Sequence, residues 1–217
     1  MKNWLQTPLL ERVSIDYPLI QASLGGEITT PKLDIATGLV SGARQAPSPN
    51  CDDRPPGVAI DLIVIHGISL PPGKFGGPWI DALFTNTLDP AVHPYFREIQ
   101  ALKVSAHLLI RRTGELVQYV PLQRRAWHAG QSCFAGRERC NDFSIGIELE
   151  GTDTLPYTDP QYRRLATVIA LLRDAYPAIE PERLVGHCDI APGRKTDPGA
   201  CFDWRRLQRL LQLPAGA

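Results

Sequence analysis

The sequence predicts a mixed α/β fold (α+β mixed) in which helices flank a single central mixed β-sheet. Residues 61–66 have an unbroken apolar centre, which is typical of a strand covered on both faces. Residues 108–110 and 116–120 are apolar runs around a short Arg-Arg-Thr-Gly segment, so they predict a hairpin or an adjacent strand pair. Apolar residues recur at helical spacing over 159–176. Because strands come before and between the helices, one sheet covered by helices accounts for this order.

The ends of the helices also have sequence signals. Asp159 and Pro160 predict a helix start, with Asp as the N-cap and Pro at the first helical position, and Pro177 ends the pattern. Residues 184–187 indicate a short strand or strand end. A last helix is predicted from near Asp203, with apolar residues on one face.

Length and composition favour one folded domain with an appendage. With 217 residues, 43% of them hydrophobic, the chain is long enough to bury one good core. Residues 1–37 show no sustained period, so we interpret them as an N-terminal extension of unknown role. Residues 38–217 form the predicted domain, and it begins with a turn-rich lead-in over 38–59.

Charge and cysteine usage restrict the partners and the compartment. Lys+Arg 23 balances Asp+Glu 23, so the chain has no excess positive charge for a nucleic acid or an anionic membrane. We find neither a signal-peptide pattern nor an apolar run of about 18 residues. The five cysteines lack close C-x-x-C spacing and fit a reducing compartment. We expect a cytoplasmic monomer that binds neither nucleic acid nor a membrane.

Residues 70–78 predict an irregular loop beside the end of the first strand. Three prolines and three glycines in this stretch remove backbone donors and loosen the chain. We expect this loop to gate whatever site lies at that strand end.

Three candidate metal ligands stand where strands end and loops begin: His66, His187 and Asp197. Two neutral imidazoles and one carboxylate suit zinc, and three protein ligands leave a fourth position for water, as in catalytic sites. His66 and His187 are 121 residues apart, so only the fold can bring them together. Any single histidine is otherwise more often a satisfied or exposed residue than a ligand.

The predicted strand 144–150 carries a second signal. Side chains alternate along a strand, so Gly146, Glu148 and Glu150 share one face, opposite the apolar residues. This face is either a solvated outer surface or part of a site, and the glycine favours a site because it makes room for a neighbour. Periodicity does not choose between Glu148 and Glu150.

Four long motifs, at residues 65–77, 125–130, 136–151 and 186–199, closely resemble those of the 1,6-anhydro-N-acetylmuramoyl-L-alanine amidases, a zinc amidase family. The likeness runs in order from about residue 38 to about residue 210. It implies a fold shared with bacteriophage-type amidases and peptidoglycan recognition proteins, which is a central mixed sheet flanked by helices with zinc in a surface groove.

The resemblance also implies roles for individual residues. One Zn²⁺ per chain would be held by His66, His187 and Asp197, within a catalytic domain that spans residues 38–217. Glu148 takes the position of the catalytic carboxylate. Lys195 takes the position of the cation that faces the reacting carbonyl.

The implied reaction is hydrolysis of the amide bond between a muramyl lactyl group and L-alanine, in cytoplasmic peptidoglycan recycling. Substrate carboxylates would pair with Arg139 and Lys103, and Trp127 would pack against the sugar. Lys103 stands where the family has Arg, and a lysine lacks the bidentate fork. Gly67 stands where the family has Asn.

Two other functions remain open on the sequence: a non-catalytic receptor for peptidoglycan fragments, and an exported lytic amidase. The complete set of candidate ligands opposes the first, and the lack of an export signal opposes the second. Among the remaining histidines, His107 is expected to be a hydrogen-bonded core or groove residue, His128 a groove-lining residue and His93 a loop residue.

Overall fold

The computed structural model describes residues 30–212, and its centre is a six-stranded mixed β-sheet. The strands are β1 (Leu33–Asp34), β2 (Leu39–Val40), β3 (Arg44–Gln45), β4 (Cys51–Asp53), β5 (Leu62–Ile68), β6 (Leu108–Ile110), β7 (Leu116–Gln118), β8 (Arg124–Ala126), β9 (Cys133–Phe134), β10 (Arg137–Glu138), β11 (Ser144–Glu150) and β12 (Leu184–Gly186). The helices are α1 (Trp79–Phe84), α2 (Pro94–Ile99), α3 (Asp159–Ala175), α4 (His187–Ile190) and α5 (Trp204–Gln212).

The central sheet has the strand order β12-β5-β11-β6-β7-β3. Its first four strands are parallel, β7 runs antiparallel to β6, and β3 is parallel to β7. β11 pairs with β5 along its whole length, so that Glu148 lies opposite His66. The predicted mixed sheet flanked by helices is confirmed.

The predicted hairpin is present, formed by β6 and β7. Its turn closes through hydrogen bonds from Gly114 N to Arg111 O at 2.8 Å and from Arg111 N to Glu115 O at 2.9 Å. Gly114 has a φ of +85°, a left-handed conformation that glycine adopts without strain. The glycine that marked this turn in the sequence is therefore required by its geometry.

Helix α3 corrects one detail of the sequence prediction. Its N-cap is Thr158 and not Asp159, because Thr158 and Gln161 form a reciprocal capping box. The Thr158 side chain accepts a hydrogen bond from Gln161 N at 3.3 Å, and Gln161 Oε1 accepts one from Thr158 N at 3.0 Å. The helix ends at Ala175, before Pro177, since the residue preceding a proline disfavours the helical region.

The lead-in over residues 38–59 contains more regular structure than its turn-rich sequence predicts. It includes β2, β3 and β4, and β3 is an edge strand of the central sheet. β1 pairs with β2 in the register Leu33 to Val40, across the expected boundary at residue 37. Val40 is buried in the main core. Residues 1–29 of the expected extension lie outside the described part of the chain.

The two faces of the sheet are covered differently. On one face, Ile63, Ile65, Ile145 and Ile147 pack in a large core with apolar residues of α3 and α5. The other face carries two smaller clusters, one that includes α1 and α2 and one around β5 and α4. His66 and Glu148 lie on this second face, because side chains alternate along each strand. Within residues 30–212, no helix is long and apolar enough to cross a membrane.

The large core predicts the effect of truncating α3. Leu165 is fully buried against the sheet, so Leu165→Ala should lower the free energy of unfolding by about 2–5 kcal/mol. Denaturant unfolding followed by circular dichroism measures this. The exposed Asp174 on the same helix gives a matched control, and Asp174→Ala should change stability by less than about 0.5 kcal/mol. Equal effects of the two variants would contradict this packing.

Candidate metal centre and active site

The parallel strands bring the candidate ligands to one edge of the sheet. His66 lies near the carboxyl end of β5, and His187 is the first residue of α4, directly after β12. Carboxyl ends of neighbouring parallel strands meet at the same edge, where open α/β sheets bind their ligands. The loop that carries Asp197 joins them through a hydrogen bond from Cys188 N to Asp197 O at 3.0 Å.

The three side chains form a small triangle of donor atoms. His66 Nδ1 and His187 Nδ1 are 3.0 Å apart, and Asp197 Oδ2 lies 3.0 Å from His187 Nδ1 and 3.3 Å from His66 Nδ1. Both imidazoles are buried, and the three ligand atoms form a group suited to a metal ion. The predicted ligands are therefore close enough to share one ion.

The protonation of these groups shows why a cation fits between them. Burial lowers the pKa of His66 to about 4, so this ring is neutral at pH 7. His187 Nε2 lies 3.2 Å from Ala129 O, which only accepts, so Nε2 carries a hydrogen and Nδ1 is the nitrogen that faces Asp197. Burial alone raises the pKa of Asp197, but its contacts with His187 and His66 outweigh burial and lower it. The contact between an electron pair and an ionised carboxylate becomes favourable when a proton or a metal cation sits between them.

Glu148 is a buried carboxylate beside this triangle. Its Oε2 atom has no hydrogen-bond partner among the described residues. Burial raises its pKa well above the usual range, the charge of Asp197 raises it further, and the charge of Lys195 opposes both. Carboxyl groups with a raised pKa are typical of residues that accept and return a proton in catalysis.

Glu150, on the same face of β11, has a different environment. Its Oε1 accepts a hydrogen bond from Gly76 N at 2.6 Å, and its Oε2 accepts one from Arg112 N at 3.1 Å. The guanidinium of Arg111 lies 3.6 Å away. Both glutamates are buried, so the solvated-face interpretation of this strand is wrong. Strand alternation did not distinguish these two carboxylates. In the structure, both oxygens of Glu150 accept hydrogen bonds, whereas Glu148 Oε2 has no hydrogen-bond partner among the described residues.

The loop at residues 70–78 lies beside the end of β5, as predicted, and Glu150 ties it to the sheet. Arg111 Nη1 also donates to Gly77 O at 2.9 Å, and the Arg112 guanidinium lies 4.8 Å from the centre of the Phe75 ring. These contacts hold the loop against β6 and β11. Whether it gates the site stays a prediction.

Lys195 is exposed, and its backbone N–H donates to Ala191 O at 3.0 Å after α4. Its charge acts on Glu148 and on His66, lowering the pKa of each. The predicted cation therefore lies within electrostatic reach of both the carboxylate and a ligand.

Two of the three predicted substrate contacts share one ionic network. Trp127 Nε1 donates to Asp52 Oδ1 at 3.2 Å, and Arg139 Nε lies 3.3 Å from Asp142 Oδ2. Arg125 links the two carboxylates, with distances of 2.5 Å to Asp52 and to Asp142. No sequence pattern predicts this link, because its members are far apart along the chain.

Lys103, the third predicted contact, is exposed, and its side chain forms no hydrogen bond or ion pair among residues 30–212. It lies two residues before Ser105, whose backbone N–H donates to Trp127 O at 3.2 Å. The segment that carries Lys103 therefore lies beside the segment that carries Trp127.

The glycine at position 67 has a local structural explanation. A Cβ at this position would overlap with Tyr157 Oη, so glycine makes room for the tyrosine. Tyr157 donates a hydrogen bond to Pro198 O at 2.9 Å and so holds the segment directly after Asp197. An asparagine at position 67 would require Tyr157 to move.

The remaining histidines extend the site beyond the predicted residues. His107 is fully buried and accepts a hydrogen bond from Gly146 N at 3.0 Å, which confirms the expected core role. His128, expected only to line the groove, places its Nδ1 2.9 Å from His66 Nε2. His93, expected in a loop, caps α2 by accepting from Tyr95 N at 3.2 Å. His128 lies in a loop, where side chains follow no regular spacing. No sequence pattern therefore predicts its contact with His66.

Comparison with known proteins defines the class. Residues 56–200 match the family model described as N-acetylmuramoyl-L-alanine amidase. The chain belongs to this family. The fold and the motif resemblance inferred from the sequence are thereby confirmed.

Within the family, the chain is similar to AmpD proteins. It is 64% identical over 174 residues to the 1,6-anhydro-N-acetylmuramyl-L-alanine amidase AmpD of Escherichia coli (strain K12). This match covers 80% of this chain and 94% of that protein. A crystal structure of a selenomethionine derivative of AmpD matches with a TM-score of 0.80 and 62% identity, covering 82% of this chain and 98% of that one. A complex of E. coli AmiD with the substrate anhydro-N-acetylmuramic acid-L-Ala-D-γ-Glu-L-Lys matches with a TM-score of 0.53 and 30% identity, covering 72% and 60%.

The raised pKa of Glu148 predicts a pH-dependent stability difference in metal-free protein. Below the unfolded pKa, 4.5, the carboxyl is protonated in both the folded and unfolded states. As pH rises through the raised folded pKa, burying the charge destabilises the wild type, so Glu148→Gln should become increasingly the more stable protein. Denaturant unfolding from pH 4 to pH 8 measures this difference. Glu98→Gln, at an exposed site on α2, should show no such trend, and a pH-independent difference for Glu148→Gln would contradict the assignment.

Proposed function

We propose that this chain is a zinc-dependent amidase of cytoplasmic peptidoglycan recycling. Its reaction is hydrolysis of the amide bond between the lactyl group of (1,6-anhydro)-N-acetylmuramic acid and L-alanine of muropeptides. The observation that carries this proposal is the meeting of His66, His187 and Asp197 beside the unpartnered Glu148 carboxylate, in a chain of the amidase family. The names of the AmpD relatives, at up to 64% identity, support the same reaction.

Zinc fits the donor set and its spacing. A tetrahedral ion with ligand bonds of about 2.0–2.1 Å holds its ligand atoms about 3.3 Å apart. The three donor atoms of His66, His187 and Asp197 are 3.0–3.3 Å apart. These residues would hold the ion and leave a fourth position open, which distinguishes a catalytic site from a structural one.

The chain's own groups carry the proton transfers. When bound, zinc supplies Lewis acidity, which lowers the pKa of a coordinated water to about 7 and polarises the substrate carbonyl. Glu148 takes a proton from the attacking water as the water oxygen bonds to the carbonyl carbon. Glu148 then gives that proton to the alanine nitrogen as the C–N bond breaks, because an amine leaves poorly unless it is protonated. The products are the lactyl carboxylate and a free amino terminus.

Lys195 is proposed to stabilise the negative charge that develops on the carbonyl oxygen. Its charge already acts on Glu148 and His66, so it lies within electrostatic reach of the reacting atoms. Removing one such donor typically lowers the rate about 10²–10³-fold.

The substrate is proposed to be a muropeptide with several carboxylates, which Arg139 and Lys103 would pair with, while Trp127 packs against the sugar. The substrate bound to AmiD has this chemistry. Lys103 offers a point charge instead of a bidentate fork, so its contact should be weaker than that of an arginine. We propose that residues 38–217 are the catalytic domain of a monomer and that residues 1–37 are an extension, of which Leu33 and Asp34 pair with β2 of the domain.

A turnover assay separates this function from a non-catalytic receptor. The purified chain should release peptide from anhydro-N-acetylmuramyl tripeptide, and a zinc chelator should abolish release until zinc is added back. Binding of the fragment without release would instead identify a receptor. Cell fractionation tests the location, since an exported lytic amidase would be found outside the cytoplasm.

Removing the proposed acid/base should separate metal binding from turnover. Glu148→Ala should keep one zinc per chain, because Glu148 is not one of the three ligands, and should lose about 10²–10⁴-fold in turnover. Metal analysis and mass spectrometry of the digest measure the two properties. Glu98→Ala should match the wild type in both, and a fully active Glu148→Ala would show that the assigned role is wrong.

Removing a ligand should affect both properties together. Asp197→Ala should lose most of its bound zinc and its turnover, since two imidazoles alone hold the ion weakly. Zinc occupancy after dialysis against a weak chelator measures the loss. Asp174→Ala, at an exposed aspartate on α3, should keep its zinc, and an Asp197→Ala protein that did the same would remove Asp197 from the site.

A further inference from the structure

The two imidazoles of the metal group are supported by one short stretch of chain, residues 127–130, which we term the backing segment. The carbonyl oxygen of Ala129 lies 3.2 Å from His187 Nε2, and the ring of His128 contacts His66. Asn141 holds this segment, because its Oδ1 accepts from His128 N at 3.1 Å and from Ala129 N at 2.8 Å. In the described part of the chain, neither His128 nor Asn141 forms a hydrogen bond or ion pair with Asp197, so both act from outside the triangle of donor atoms.

A directional chain of hydrogen bonds reaches His66 from the backing segment. His66 Nε2 lies 2.9 Å from His128 Nδ1, and His128 Nε2 lies 3.1 Å from Ser144 Oγ. Ser144 in turn donates to Cys140 O at 2.6 Å. Ser144 is completely buried, so water does not compete for its hydroxyl.

The carbonyl of Cys140 sets the direction of every bond in this chain. A carbonyl only accepts, so the single hydroxyl hydrogen of Ser144 is used there. His128 Nε2 must then donate to Ser144 Oγ, which leaves His128 Nδ1, in the neutral ring, as an acceptor. His66 Nε2 must therefore carry the hydrogen, and the electron pair of His66 Nδ1 points toward His187 and Asp197.

Gly146 on β11 leaves the space that this arrangement needs. A Cβ at Gly146 would overlap with the Cγ, Nδ1 and Cδ2 atoms of the His128 ring. The glycine that the strand pattern marked as making room therefore makes room for His128.

We propose that His128 is a positioning residue for the metal ligand His66: through Ser144 and the Cys140 carbonyl, it holds His66 in the tautomer that presents Nδ1 to the metal. This inference rests on the proposed zinc function. This series of hydrogen bonds ends at the neutral carbonyl of Cys140 and includes no carboxylate. It therefore fixes the tautomer and the ring orientation of His66 without adding negative charge to the site. His187 receives the same fixation directly from Ala129 O.

Three variants test this role against a matched control. His128→Ala removes the acceptor, Ser144→Ala frees His128 to adopt either tautomer, and His128→Asn places an amide oxygen where Nδ1 was. His93→Ala removes a histidine that caps α2, away from the site. Zinc affinity is measured by competition with a chromophoric chelator, and the tautomer of His66 by ¹⁵N chemical shifts in metal-free, histidine-labelled protein. Thermal unfolding confirms that each variant is folded.

The expected results differ between the variants. The zinc Kd should rise about 10–100-fold in His128→Ala, in the range typical of lost outer hydrogen bonds to a ligand, and less in Ser144→Ala. His128→Asn should recover much of the affinity, and His93→Ala should match the wild type. In metal-free protein, the Nε2–H tautomer of His66 should dominate in the wild type and be lost in His128→Ala.

Two results would overturn the proposal. One is an unchanged Kd and an unchanged His66 tautomer in His128→Ala. The other is equal affinity of His128→Asn and His128→Ala, which would show that His128 only fills space. A wild-type chain that binds no zinc would instead refute the proposed function, and the tautomer measurement in metal-free protein would still test the role of His128.

Discussion

The structure depends on the enforced approach of three electron-pair donors at one buried point of the sheet edge. His66 Nδ1, His187 Nδ1 and Asp197 Oδ2 lie within 3.3 Å of one another, a spacing that needs a proton or a metal cation between the donor atoms. The core and the contacts behind His66 and His187 hold the donor atoms in this arrangement. The three atoms are therefore in place for the ion that we propose.

The central sheet provides the rigidity that this arrangement requires. β5 and β11 pair over seven residues in register, and this register places Glu148 directly opposite His66. Because strands in a packed sheet cannot slip by one residue without reversing every side chain, the distance between carboxylate and ligand is fixed by the core and not by a loop. Asp197 and Lys195 come from a loop, and this loop is tied back to α4 and to Tyr157.

The two glutamates on the same face of β11 have different environments. Glu150 uses both oxygens to hold the loop and the end of β6, whereas Glu148 keeps Oε2 unpartnered beside the metal group. Gly146 gives its side-chain space to His128. One strand thus supplies the anchor of a loop, the carboxylate proposed to carry the proton, and space for a neighbouring ring, and all three positions are buried.

The sequence by itself determined the strands, the hairpin, the long helix and the residue types of the metal group, because periodicity and turn residues are local properties. The resemblance of its motifs also identified the family. Only the tertiary structure decided which glutamate has hydrogen-bond partners on both oxygens and that the His128 ring contacts His66, because these facts depend on distances between residues far apart in the chain. The N-cap of α3 was missed for a smaller reason, since Thr158 and Asp159 are both good caps and the reciprocal bond with Gln161 selects the threonine. Strand order brings residues 66 and 187 together, and no local pattern encodes strand order.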